Sequence, residues 1–152
     1  AWPPEAQPRP APGVLARLDI LRQHRDLYTS LVLPPVAPQL DPLLERAARA
    51  VARRAGFASA ALQPWAGRPV GVRPCVRDLR AEHVLFDAGR VTGVVDYGAM
   101  APDSPAVDLA RLLGDLAGTA AALFAAGLDA YRAAGGPLDA PGPFVRVLAD
   151  TG

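Results

Sequence analysis

The 152-residue chain contains no lysine and no asparagine, and all sixteen of its basic residues are arginine. A single cysteine, Cys75, excludes an internal disulfide framework. Neither G-x-G-x-x-G nor G-x-x-x-x-G-K-S/T occurs, so neither of the usual glycine-rich phosphate cradles is present. No apolar run is long enough for a spanning helix, and no charged-then-apolar leader is found. A net charge of +1 gives no basic footprint for nucleic acid. The expectation is a cytoplasmic protein without nucleic-acid or membrane partners.

What is present is a composition that builds a core, 51% hydrophobic, over the length of one domain. Residues 1–13 are proline-rich and read as a flexible start. Val14, Leu18, Leu21, Tyr28, Leu31 and Val32 have helical spacing, which predicts a helix over 14–33 ended by Pro34-Pro35. Asp41 followed by Pro42 reads as a helix cap, with Gly56 just past the end. Leu44, Ala47, Ala48, Val51 and Ala55 would face inward there, with Arg46, Arg49 and Arg53 on the wet face. Residues 57–71 read as a connector, with Trp65 as a core anchor. Ser104-Pro105 opens a helix carrying Leu109, Leu112, Leu113 and Leu116. Residues 119–134, with Leu123, Phe124, Ala130 and Tyr131, form a further helix stopped by Gly135-Gly136. Gly142-Pro143 starts a last helix that the chain end cuts short. The predicted fold class is α+β, mainly helical, with a β-hairpin beside the helices.

The hairpin lies in the stretch 75–98. Val84-Leu85-Phe86 and residues 91–95 are apolar, and Asp87-Ala88-Gly89-Arg90 between them has turn chemistry. A polar loop, 77–83, enters the hairpin and Asp96-Tyr97-Gly98 leaves it. Asp78, His83 and Asp96 are thereby delivered to one end of a small sheet.

That order resembles the catalytic core of the aminoglycoside phosphotransferase family, small-molecule kinases of the protein-kinase-like fold. Their pattern is His-Gly-Asp-x-x-x-x-Asn, an apolar hairpin, an acidic metal ligand, and then a helix opening Asp-Leu-Ala-Arg-Leu-Leu. Here Asp78, His83, Asp96 and the string from Asp108 stand in that order. The resemblance implies a kinase-like C-terminal lobe over 14–152, without its N-terminal lobe and truncated at its C-terminus. It implies transfer of the ATP γ-phosphoryl group to a hydroxyl of a small molecule. Asp78 would be the base, and Asp96 would bind Mg²⁺. Asp108 would brace the catalytic loop.

Three residues depart from the family pattern. His83 stands where the family has an asparagine, and imidazole suits Mn²⁺ or a softer metal better than Mg²⁺. Val76 replaces a histidine that helps hold the loop, and Glu82 replaces a small residue. Each site residue also has a plainer reading. Asp78 could be a loop partner of Arg77, Asp96 a turn residue before Gly98, and His83 a hydrogen-bonded structural residue. Arg80 could touch the transferred phosphate or be an exposed loop arginine. Two other functions are therefore kept open. One is a degenerate kinase-like binding module. The other is a transition-metal site made by Asp78, His83 and Asp96. With no lysine and no glycine-rich loop to clamp a nucleotide, the chain alone is expected to be inactive.

Overall fold

The computed structural model describes residues 7–30 and 40–151. The element order among them is β1 (Gln7–Pro10), α1 (Pro12–Ser30), α2 (Asp41–Leu62), β2 (Pro69–Cys75), β3 (Val84–Asp87), β4 (Arg90–Val94), β5 (Ala101–Asp103), α3 (Pro105–Ala117), α4 (Ala121–Ala133) and α5 (Gly142–Asp150). The mainly helical α+β expectation holds.

α3 is the central helix. Ser104 Oγ accepts the Ala106 N–H at 3.3 Å, and Pro105 supplies a preset φ at the first turn. Ala106, Val107, Leu109, Ala110 and Leu113 form its buried face. The same core takes in Phe144, Val145 and Leu148 of α5, Phe124 and Leu128 of α4, Val14 and Leu18 of α1, and Leu62 at the end of α2. Trp65 lies against this core, its ring centroid 4.9 Å from that of Phe144, and so is the anchor expected of it.

Two antiparallel sheets complete the fold. One has strand order β1-β2-β5 and the other is the β3-β4 hairpin. The hairpin turn is Ala88-Gly89, with φ of 47° and 76°. Positive φ at both positions is the type I′ geometry that suits strand twist. A register irregularity between Leu85 and Phe86 leaves Thr92 between the residues paired with them.

The structure corrects several local expectations. The start is not linker-like throughout, because Gln7–Pro10 pairs along Pro69–Val72 of β2. Pro8 and Pro10 are tolerated because β1 is an edge strand. α1 begins at Pro12, and the expected stop at Pro34-Pro35 lies outside the described residues. In α2 the cap position is Leu40, Asp41 is already helical, and no side chain caps the end. Gly56 does not stop this helix, which runs on to Leu62. Burial of Ala58 and Leu62 beyond it outweighs the cost of an internal glycine, about 1 kcal/mol. Of the predicted inward face only Ala55 is buried; Leu44 and Val51 are each 38% exposed. The expected connector is largely ordered into the end of α2, a 3-10 turn at Gln63–Trp65 and the start of β2. Residues 101–103, on which the sequence carried no strand signal, form β5.

Candidate active site

The site is a loop held by a helix. Between β2 and β3 the chain must turn sharply, and Arg77 does so with φ of 69°, in the left-handed region. What holds that turn comes from α3. Asp108 accepts the backbone N–H of Val76 at 2.8 Å and of Arg77 at 2.6 Å. One turn on, Arg111 Nη2 lies 2.9 Å from Asp78 Oδ1. One turn further, Asp115 accepts the Ala81 N–H at 3.0 Å. Residues 108, 111 and 115 share one helical face, so a single stripe of α3 grips the loop at successive points. Val76 cannot hold the loop through its side chain, but its backbone amide does so through Asp108.

Burial raises the Asp108 carboxyl above the usual aspartate range, and the two amides only partly offset it. Nearby, Cys75 donates to the Asp103 carbonyl at 3.2 Å. Burial, then the charges of Asp108 and Asp103, push its thiol up to about 12. Cys75 is therefore an inert small residue of β2.

Asp103 is a part of this site that the sequence did not reveal. It is fully buried. Its Oδ1 accepts the N–H of Gly13 at 3.2 Å and of Ser104 at 2.8 Å, while Oδ2 faces Arg77 Nε at 3.5 Å. A Cβ at position 13 would sit 2.5 Å from Asp103 Oδ2, so glycine is required there. Asp103 thus ties the start of α1 to the arginine of the strained turn.

Asp78 has a half-exposed side chain whose Oδ1 is buried and makes no aligned hydrogen bond. Arg111 and, at 3.7 Å, Arg80 Nε crowd that oxygen. An incoming hydroxyl can reach the carboxylate only through Oδ2. Asp78 pairs with Arg80 and Arg111, not with Arg77 as the plainer reading had it. Arg80 reaches Glu82 as well, at 3.5 Å, and remains partly exposed.

His83 closes the loop. Its Nδ1 lies 2.8 Å from the backbone carbonyl of Asp78. A carbonyl can only accept, so Nδ1 carries the proton and the ring is fixed in orientation. Nε2 then faces outward, 3.8 Å from Asp96 Oδ2 and 3.8 Å from Glu82 Oε1. The backbone repeats the link: the Val95 N–H donates to the His83 carbonyl at 2.9 Å, which sets the end of β4 beside the loop. Asp96 follows with φ of 64°. Its Oδ1 lies 3.5 Å from the Gly98 amide, a long turn contact, and its side chain is largely exposed.

His83 and Asp96 are thus brought together as a facing nitrogen–oxygen pair. The donor set fits a divalent cation that takes its remaining ligands from phosphate and water. Asp78 is not part of that pair, being engaged by arginines. Among the described residues no group of three or more His, Cys, Asp or Glu side chains is placed to hold a metal. The transition-metal triad is therefore not assembled.

No curated protein and no solved structure matches the chain significantly. The model of the phosphotransferase enzyme family matches residues 4–142, which takes in the loop, the hairpin and the α3 stripe. The chain belongs to the phosphotransferase enzyme family.

Proposed function

We propose that the protein transfers the γ-phosphoryl group of ATP to a hydroxyl of a small molecule. The observation that supports this most is the fixed loop. The loop that carries Asp78 is held by three α3 side chains, and its His83 faces Asp96 as a pair suited to a cation. In the reaction a bond forms between the acceptor oxygen and the γ-phosphorus, and the bond from that phosphorus to the leaving oxygen of ADP breaks. The acceptor proton passes to Asp78 Oδ2. Such transition states are loose, so the proton moves late and orientation of the hydroxyl matters more than basicity. Arg80, partly exposed and only 3.5 Å from Glu82, would meet the transferring phosphoryl oxygens. His83 Nε2 and an Asp96 oxygen would hold Mg²⁺ or Mn²⁺, which when bound neutralises phosphate charge. The covering nucleotide loop would come from outside these 152 residues, since they contain no glycine-rich phosphate motif and no lysine. This reading takes the protein to act in the cytoplasm.

The test is label transfer. With γ-labelled ATP, the full-length protein and a panel of hydroxylated compounds, the label should appear on an acceptor and require a divalent cation. A degenerate binding module remains the second reading. It is favoured by Arg111 and Arg80 occupying one oxygen of Asp78 and by the Val76, Glu82 and His83 departures. It predicts nucleotide or ligand binding with no transfer to any acceptor.

A further inference from the structure

Beside Asp78, on the side gripped by α3, lies a cavity of 370 Å³. Its wall carries five arginines, Arg17, Arg54, Arg80, Arg111 and Arg146, and two aspartates, Asp115 and Asp150. These arginines come from five places in the chain: α1, α2, the loop before β3, α3 and α5. Folding has therefore gathered them, since sequence proximity has not. Their charges are unevenly met. Arg146 Nε pairs with Asp150 at 3.0 Å, and Arg111 and Arg80 share Asp78. Arg17 and Arg54 donate instead to the backbone carbonyls of Leu148 at 2.9 Å and Asp150 at 3.1 Å. A carbonyl accepts a hydrogen bond but neutralises no charge. Arg111 Nε is buried and has no hydrogen-bond partner. Burial, and next the charge of Arg111, hold the Arg17 guanidinium below its ordinary range. The cavity is a place where cations have been crowded and partly dried, which is the environment an oxyanion relieves.

The walls also say which oxyanion. Arg80 and Arg111 touch Asp78, so the cavity opens beside the proposed base. Neither His83 nor Asp96 lines it. Phosphates held by the cation at that pair would lie elsewhere, and this space is left to the acceptor.

We infer that the arginine-lined cavity beside Asp78 binds the acceptor, and that the acceptor is a small alcohol carrying a phosphate or carboxylate group. The inference rests on the phosphotransferase reading and narrows its substrate class. A polycationic amino sugar is excluded by like charge. A sugar phosphate or a hydroxy acid fits, with the anion on Arg17, Arg54 and Arg146 and the hydroxyl toward Asp78.

The experiment titrates inorganic phosphate into the full-length protein, followed by NMR of arginine side chains. It is repeated on Arg54→Gln/Arg146→Gln and on Arg54→Lys/Arg146→Lys. Phosphate should bind, bind about tenfold more weakly to the glutamine variant, keep most of its affinity in the lysine variant, and not be displaced by ATP. No binding, or equal binding to both variants, overturns the inference. So does competitive displacement by ATP, which would give the cavity to the nucleotide. In parallel, label transfer is compared among a sugar phosphate, a hydroxy acid, a neutral sugar and an amino sugar. The anionic alcohols should react fastest. Transfer to neutral or amino sugars without phosphate binding overturns this inference and leaves the phosphotransferase reading standing. Phosphate binding without transfer to any alcohol overturns both.

Discussion

At the scale of single residues, His83 is the departure from the family pattern on which the proposed metal preference turns. Its Nδ1–H is committed to the Asp78 carbonyl, so the ring can offer only Nε2, and it offers it toward Asp96. An imidazole nitrogen prefers Mn²⁺ over Mg²⁺ more strongly than an amide oxygen does. Activity should therefore be higher with Mn²⁺ than with Mg²⁺ at equal concentration. His83→Asn should reverse that order, provided initial rates are compared in both metals. A variant that keeps the wild-type preference would show that His83 is only structural. The order Asp78, His83, Asp96 was legible in the sequence because it lies in one short stretch. The partners of Asp78 were not. Arg111 lies 33 positions away, and reading it required knowing which face of α3 meets the loop. The spacing of Asp108, Arg111 and Asp115 was the available signal, since side chains three and four apart share a helical face.

At the scale of elements, α3 is the clamp. Removing Asp108 leaves two loop amides without acceptors, so Asp108→Ala should cost about 3 kcal/mol in urea unfolding and free the loop in amide exchange. Asp108→Asn should cost less, because one amide keeps an acceptor. The pH dependence has a definite sign. The Asp108 carboxyl is raised in the folded state, so the fold binds its proton more tightly than the unfolded chain does. Its contribution is fully present below the ordinary value of 3.8 and is lost as pH rises through the raised folded value. The stability deficit of Asp108→Asn should accordingly narrow as pH rises through that window. In α2 the opposite kind of change is available. Gly56 sits inside the helix, and a Cβ there would meet nothing within 4 Å. Gly56→Ala should raise stability by about 0.5–1 kcal/mol. The sequence misled at Gly56 because a glycine in a helical pattern is a stop signal by propensity alone. Burial of Leu62, six residues later, decides otherwise.

At the scale of the whole molecule, the described chain is a helical core carrying a loop and a hairpin on its surface. The hairpin was legible from two short apolar runs around a turn, and α3 from its cap. The parts that were not legible are those made by distant pairing. β1 pairs with β2 some sixty residues on, and Gly13 meets Asp103 ninety residues on. Gly13 shows how such a link can be tested. Gly13→Ala would force a Cβ against the buried Asp103 carboxylate and disturb Arg77 behind it, so it should lower both stability and transfer rate. Arg17, Arg54 and Arg146 of the cavity belong to the same class, brought beside Arg80 and Arg111 only by the fold. What unifies these scales is Asp78, paired with Arg111 of α3, its carbonyl meeting His83 and its arginine partners lining the cavity. The most direct measurement is the single-turnover rate of phosphoryl transfer by the full-length protein with and without Asp78→Asn. A fall of roughly 10²–10⁴-fold, with ATP binding and melting temperature unchanged, is the predicted result. An unchanged rate would contradict Asp78 as the group that receives the acceptor proton.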